Sequence, residues 1–317
     1  MKILVTGCAG FIGYHVCENL LETGAEVLGI DNLNPYYSLK LKAMRIKILQ
    51  GMEGFLFLPK DLSFPSSMDV FVKFRPHTVV HLAAQPGVRY SLEHPEEYVN
   101  SNILGTFHVF EACRLYGIPR VLYASSSSVY GGKHGSREEV RLCPESIYAA
   151  TKISCEALAE AYYKNHGISS VGMRYFTVYG PWGRPDMAMI KFADRIMAGE
   201  PIEVYNHGNM SRSFTYIDDV VNATVRLAGF LQSDKGCQKV NVGTPFAEPL
   251  YKVLGLLERE LGRKAKVIER PMHNGDVKET CAHTGKLKKM IGFEPSIRVE
   301  RGISEFVKWY RRERANW

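Results

Sequence analysis

The chain is most tightly constrained near its start, where the apolar run Ile3-Leu4-Val5-Thr6 passes straight into Gly7-Cys8-Ala9-Gly10-Phe11-Ile12-Gly13. A short strand has to end there and a helix begin, inside a turn that holds three glycines. Residues lacking Cβ permit a tight turn, close helix–strand packing, and approach of backbone N–H groups to a phosphate whose charge suits a helix N-terminus. Asp31 closes the next apolar run. A carboxylate there holds the hydroxyls of an adenosine ribose and repels a 2′-phosphate, so the expected cofactor is NAD rather than NADP. The strand–turn–helix context argues against the plainer alternative of three turn glycines and a solvated aspartate.

The same rhythm continues through the first half. Residues 2–6, 26–30, 55–58, 78–82, 121–125 and 169–174 read as strands rich in Val, Ile, Leu and Phe without polar alternation. Such strands are buried on both faces of a parallel sheet. Amphipathic helical stretches at 12–23, 99–116 and 148–166 separate them. This alternation predicts an α/β fold built on a doubly wound parallel (Rossmann) sheet. After Arg174 the rhythm breaks at the turn Pro181-Trp182-Gly183-Arg184-Pro185, with a helix expected near 187–198. A helix at 218–231 and a strand at 239–242 then return to the sheet. The expected division is a dinucleotide-binding domain from 1–174 plus about 215–243. A smaller mixed substrate-binding lobe would come from about 175–214 plus 244–317.

Composition excludes several classes. Of 317 residues, 45% are hydrophobic and 23% charged, which is globular rather than disordered. No apolar run reaches the roughly 18 residues of a membrane span, and the N-terminal strand lacks the features of a signal peptide. The expected compartment is the cytoplasm, with no membrane partner. Seven scattered cysteines without a CxxC pair read as reduced, packed thiols and offer no metal site. The net charge of +7 is concentrated late: from Arg259 onward there are 15 Lys and Arg against 8 Asp and Glu. There Lys286-Leu287-Lys288-Lys289-Met290 and Val307-Lys308-Trp309-Tyr310-Arg311-Arg312 interleave charge with apolar anchors, as solvated helix faces do. Nucleic acid is therefore not an expected partner, although a positive field favours an anionic substrate.

Tyr148-Ala149-Ala150-Thr151-Lys152 sets a phenol and an ammonium one helical turn apart on one face. A phenol of pKa about 10 is a weak base at neutral pH, and a neighbouring positive charge favours its phenolate. Ser126, in Ser125-Ser126-Ser127-Ser128-Val129-Tyr130-Gly131, follows the fifth strand and can hydrogen bond the same hydroxyl. Tyr162, Tyr163 and Lys164 repeat the residue types but read as helix surface. His81 reads as a core histidine at a strand end rather than a base.

With its GxxGxxG spacing and Tyr-x-x-x-Lys pair the chain resembles the short-chain dehydrogenases. That resemblance implies an adenine contact from Asp61-Leu62, a cofactor-lining segment His81-Leu82-Ala83-Ala84, and a helix motif containing Asn102. Gly7, Gly10, Phe11, Ile12, Gly13, Asp31, Asn32, Asp61, Leu62, Ala83, Tyr148 and Lys152 would together hold NAD, with Tyr148, Lys152 and Ser126 catalytic. The run Arg174-Tyr175-Phe176-Thr177-Val178-Tyr179-Gly180-Pro181-Trp182-Gly183-Arg184-Pro185-Asp186-Met187-Ala188 is similar to the signature of UDP-glucuronate 4-epimerases. So are Gln85-Pro86-Gly87-Val88-Arg89-Tyr90-Ser91 and Ser213-Phe214-Thr215-Tyr216-Ile217-Asp218-Asp219. Related galactose epimerases carry Asn at the Thr177 position. Decarboxylases and dehydratases carry glutamate at the Ser128 position, and dehydratases aspartate at the Ser127 position.

The resemblance thus implies epimerisation at carbon 4 of a UDP-uronic acid by way of a 4-keto sugar. Ser127, Ser128, Thr177 and Arg184 would lie at the sugar, Arg212 at the diphosphate and Asp276 at the nucleoside. It also implies a homodimer through the helices at 99–116 and 148–166. The loop 133–140 and His273-Asn274 depart from the family pattern, which bears on the nucleotide contacts. Two rivals remain at this point: an oxidative decarboxylase or other nucleotide-sugar epimerase/dehydratase, and a non-catalytic NAD-sensing regulator. The retained Tyr–Lys pair disfavours the regulator.

Overall fold

Ile3, Leu4 and Val5 are all fully buried, so the first strand needs cover on both faces. Ile3 and Val5 pack with one side of the molecule and Leu4 with the other, as the two-residue period of a strand requires. The structure, a computed structural model, describes residues 1–132, 136–272 and 277–314. Its main sheet contains β1 (Lys2–Thr6), β2 (Glu26–Asp31), β3 (Phe55–Pro59), β4 (Thr78–His81), β5 (Arg120–Ser126), β6 (Ser169–Tyr175) and β7 (Cys237–Val242). The spatial order is β7-β6-β5-β4-β1-β2-β3 and every pairing is parallel.

Helices α1 (Phe11–Glu22), α2 (Leu39–Gln50), α3 (Gly105–Tyr116), α4 (Ile147–His166), α5 (Ala188–Ala198), α6 (Ile217–Ser233), α7 (Leu250–Leu261) and α8 (Val299–Glu313) cover the sheet and extend beyond it. Residues of α1, α2 and α6 share the core on one face, and those of α3 and α4 share the other. Each fully buried Val, Leu or Ile contributes about 1.5–3 kcal/mol. The sheet order reverses direction between β1 and β4, which opens a crevice at the carboxyl ends of those strands.

Short strand pairs build the rest. Thr177–Tyr179 pairs parallel with Phe214–Tyr216, and Pro201–Tyr205 with Lys266–Arg270. Ser211–Arg212 lies between Glu248–Pro249 and Glu279–Thr280. Ile202, Val204, Leu257, Phe306 and Trp309 join the core of the α1 face, so this mixed part is not separately packed. No helix among the described residues is long and apolar enough to cross a membrane.

Four local expectations need correction. β3 is the sheet's edge strand, and Leu56 and Leu58 are exposed rather than covered on both sides. Residues 99–104 of the expected long helix form a π-helical turn before α3. Tyr162 faces inward and donates to Glu111 at 2.9 Å. Helix α2 was not anticipated at all.

His81 is a core residue: Nδ1 meets Thr6 Oγ1 at 2.7 Å and Nε2 meets Thr106 Oγ1 at 3.1 Å. Burial, with a smaller contribution from the Lys152 charge, pushes its pKa down to about 3. The unfolded chain binds this proton below about pH 6.5, whereas the folded protein resists it until near pH 3. The contribution is therefore complete above about pH 6.5 and declines on acidification, by up to about 1.4 kcal/mol per pH unit. Denaturant unfolding at several pH values between about 5 and 7 should show this slope in the wild type and a shallower one in His81→Gln. Parallel profiles would mean that His81 titrates normally in the folded state.

Candidate active site

Glycine at three positions lets the first turn close. Gly7 has φ +74°, and a Cβ there would lie 2.7 Å from the Ala83 amide nitrogen. A Cβ on Gly13 would sit 2.0 Å from the Gly7 carbonyl oxygen. Helix α1 thus presses directly on the turn, and its N-terminus opens on a cleft of about 410 Å³, a size usual for small-ligand sites. Gly7, Gly10, Phe11, Ile12 and Gly13 line it, together with Asp31, Asn32, Asp61, Leu62 and Ala83. Tyr148, Lys152, Ser126, Ser127, Ser128, Thr177 and Arg184 line the remainder. Most of the residues singled out from the sequence therefore share one concavity.

Asp31 is tied down within it. Its Oδ2 accepts from the Ala9 amide at 3.2 Å and its Oδ1 from the Leu33 amide at 2.8 Å. Lys42 Nζ lies 3.7 Å from Oδ1, also buried and also lining the cleft. The sequence reading missed Lys42. Asp61 accepts from Asn32 Nδ2 at 3.0 Å and from both the amide and hydroxyl of Ser63. Burial opposes its charge, but these hydrogen bonds outweigh it and hold the carboxyl below its ordinary pKa. Turn glycines, a helix N-terminus facing the cleft and fixed carboxylates in its lining fit a pyrophosphate-containing dinucleotide.

Asn102 ties two parts of the lining together. Its Oδ1 accepts from the Gln85 amide at 2.7 Å, while Nδ2 donates to the Gln85 carbonyl at 3.2 Å and to Thr151 Oγ1 at 3.0 Å. The π-helical turn gives this buried side chain its inward place. Thr151 adjoins Lys152, so one amide fixes the loop after β4 to the reactive turn of α4. That helix starts at Ser146, whose hydroxyl accepts from the Ala149 amide at 3.1 Å. Lys152 Nζ donates to the Ala124 carbonyl at 2.9 Å and stands 5.8 Å from the centre of the Tyr148 ring. The ammonium is buried and fixed by backbone beside the Tyr148 ring.

The serine loop is bonded within itself. Ser126 Oγ accepts from the Ser128 amide and donates to Ser128 Oγ, both at 3.1 Å. Ser125 instead points inward and donates to Glu156 at 2.7 Å. Glu156 also receives a bidentate pair from Arg174 at 2.8 and 2.7 Å. Neither Glu156 nor the support given by Arg174 was anticipated.

Arg184 is already engaged. Nε donates to Asp186 Oδ1 at 3.0 Å, Nη2 to Oδ2 at 2.5 Å, and Tyr36 donates to Oδ2 at 3.2 Å. Burial works against the guanidinium charge, but Asp186 more than offsets this and keeps Arg184 above its ordinary pKa. This pairing uses one edge of the planar fork and leaves Nη1 for another acceptor. Arg212 is not among the cleft-lining residues. It donates to the carbonyls of Val277 at 2.5 Å and Lys278 at 3.0 Å. Asp276 lies outside the described residues.

The model of the NAD dependent epimerase/dehydratase family matches residues 3–243. The chain is 40% identical to a UDP-glucuronate 4-epimerase of Thermodesulfobacterium geofontis, covering 96% of this chain and 95% of that protein. It is 44% identical to an uncharacterised protein of Methanocaldococcus jannaschii, over 100% and 98% of the two chains. The crystal structure of UDP-glucuronic acid 4-epimerase from Bacillus cereus, in complex with UDP-glucuronic acid and NAD, superposes with a TM-score of 0.92 at 33% identity. That superposition covers 98% of this chain and 99% of that one. The chain belongs to the NAD dependent epimerase/dehydratase family, with relatives named as UDP-glucuronate 4-epimerases.

Proposed function

We propose that this protein is an NAD-dependent isomerase that interconverts UDP-glucuronate and UDP-galacturonate at carbon 4. One observation carries the reading: a single cleft is lined both by the dinucleotide turn and by Tyr148, the serine loop, Thr177 and Arg184. Incubation with UDP-glucuronate, followed by proton NMR, should yield UDP-galacturonate. A pentose nucleotide as the main product would instead indicate an oxidative decarboxylase.

NAD, when bound, supplies a reversible acceptor for hydride. The chain's own residues handle protons and orientation. Tyr148, with the Lys152 ammonium beside its ring, removes the proton of the 4-hydroxyl as carbon 4 is oxidised. The 4-keto sugar turns over in the cleft, carbon 4 is reduced from the opposite face, and Tyr148 returns the proton. The intermediate is a β-keto acid, prone to lose carbon dioxide when the bond to its carboxylate stands perpendicular to the ketone plane. Ser126, Ser127, Ser128, Thr177 and Arg184 restrain that carboxylate. Within the same reading Arg212 and Asp276 serve the nucleoside diphosphate. Residues 1–174 with 215–243 form the dinucleotide domain, and the remaining segments form the nucleotide-sugar lobe.

We also assign a homodimer to the face carrying the exposed side chains Val99, Leu104, Phe107 and Ile147. A cytoplasmic location suits the free cysteines.

Because hydride is borrowed and returned, NAD should remain bound and be released when the purified protein is denatured, as mass spectrometry of the supernatant would read. The apo protein should bind NAD more tightly than NADP. The reverse order would mean that Lys42 neutralises Asp31 enough to admit a 2′-phosphate.

Tyr148→Phe removes one oxygen from a half-open position. Turnover should fall by roughly 10²–10⁴-fold with little change in substrate affinity. Near-normal turnover would assign the base elsewhere.

Arg184→Ala removes the Nη1 donor that the Asp186 pairing leaves for the uronate carboxylate. Uronate binding should weaken by about 2–5 kcal/mol, with little effect on UDP-glucose. Some 4-keto intermediate should also decarboxylate and leave NADH on the enzyme. Equal losses for the two sugars, with no carbon dioxide, would place Arg184 outside the carboxylate site.

A further inference from the structure

Just ahead of Arg184, three successive backbone carbonyls are each held by a side chain from α1 or α2. His15 Nε2 donates to the Pro181 carbonyl at 3.0 Å. Arg45 Nη2 donates to the Trp182 carbonyl at 2.5 Å and to the Gly183 carbonyl at 3.2 Å. On its other side Arg45 Nη1 donates to the Ala9 carbonyl at 2.7 Å, inside the glycine turn, and to the Tyr37 hydroxyl at 2.9 Å. One guanidinium plane therefore spans the dinucleotide turn and the turn that carries Arg184.

Arg45 is fully buried, at 0% exposure, and among the described residues no carboxylate pairs with it. Its Nε has no hydrogen-bond partner among them either. A cation kept this way is a poor device for stability alone, since a hydrocarbon of similar volume fills such a site without the desolvation cost. Arginine supplies a rigid fork able to reach several acceptors at fixed angles, which neither lysine nor methionine can. The turn it holds also needs holding. Trp182 has φ +56°, a region in which a bulky residue is strained and persists only when its surroundings over-determine it. The Trp182 ring packs on Tyr14 of α1 and Trp309 of α8, at 5.8 and 5.6 Å.

Resting on the reading that Arg184 binds the uronate carboxylate, we propose that Arg45 is a positioning residue for that arginine. It locks the Arg184 turn to the Ala9 carbonyl, so that the state of the dinucleotide turn sets where the carboxylate is received. Dinucleotide and uronate sites then share a mechanical link, and the coupling acts equally in both directions.

Purified full-length wild type, Arg45→Met, Arg45→Lys and Arg184→Ala, each saturated with NAD, are titrated by calorimetry with UDP-glucuronate and with UDP-glucose. NAD affinity and thermal midpoint are recorded alongside. Both Arg45 variants should bind UDP-glucuronate more weakly by about 5–150-fold, the usual range for coupled sites, while UDP-glucose affinity stays near wild type. Under turnover both should release carbon dioxide that the wild type does not. Arg45→Lys retains the charge but cannot span two turns, so its failure would assign the effect to geometry. A changed midpoint with equal losses for both sugars, or no change in discrimination, would reduce Arg45 to packing and overturn the proposal. Failure of both variants to fold would overturn it as well, since Arg45 would then serve folding. The Arg184→Ala titration separates the two readings. If it loses uronate discrimination while the Arg45 variants keep it, only the positioning role fails. If it keeps discrimination, the assignment of Arg184 itself fails.

Discussion

A Cβ on Gly13 would lie 2.0 Å from the Gly7 carbonyl oxygen, so helix α1 can rest on the first turn only while position 13 lacks a side chain, and Gly7 in turn leaves room for the Ala83 amide. That contact sets where the α1 N-terminus points, and hence where the positive end of its dipole meets a ligand. It also draws the loop after β4 against Gly7. Asn102 then holds that loop to α4, and α4 presents Tyr148 and Lys152. The chain of contacts from glycine turn to phenol contains few adjustable joints. The cleft is thereby largely formed by the packing of the sheet and its helices.

The second support lies beneath the serine loop. Tyr148, Lys152 and Glu156 are spaced four apart along α4, so they share one face. Lys152 reaches the Ala124 carbonyl, while Glu156 takes Ser125 and the guanidinium of Arg174. Arg174 also donates to Tyr130, at the end of the serine-loop turn, at 2.8 Å. Both members of this ion pair are almost completely buried. Removing one partner of such a pair leaves an uncompensated charge and typically costs about 3–5 kcal/mol. The pair's place therefore matters more than its net energy: it fixes the end of β5 and the reactive helix in one frame.

Arg184 and Arg45 show two ways of keeping a guanidinium in a protein interior. Asp186 and Tyr36 hold Arg184 from the side, neutralising it while leaving part of its fork open. Among the described residues Arg45 is held by backbone carbonyls and a phenol. The first arrangement suits a group that must receive a charged ligand, because the neutral pair limits the cost of burying the cation before that ligand arrives. The second suits a strut.

The sequence by itself determined the parallel sheet, because strands buried on both faces carry no polar alternation and leave continuous apolar runs. It also determined the dinucleotide turn and the Tyr148–Lys152 pair, since these depend on local backbone geometry and helical spacing. Residue types in the serine loop and the 174–188 run indicated the sugar site by resemblance. Tertiary structure alone decided the rest. Helix α2 escaped notice because Lys42 and Arg45 occupy buried positions beside Leu41, Ile46 and Leu49, so charge interrupts its apolar stripe. Their partners, Asp31 on one side and the carbonyls of Ala9, Trp182 and Gly183 on the other, lie far away in the chain. The pairing of Arg184 with Asp186 likewise depended on side-chain direction rather than spacing. A cation's role is set by the acceptors that the fold brings to it, and for Arg45 and Lys152 those acceptors are chiefly backbone carbonyls, which every residue possesses and no sequence pattern distinguishes.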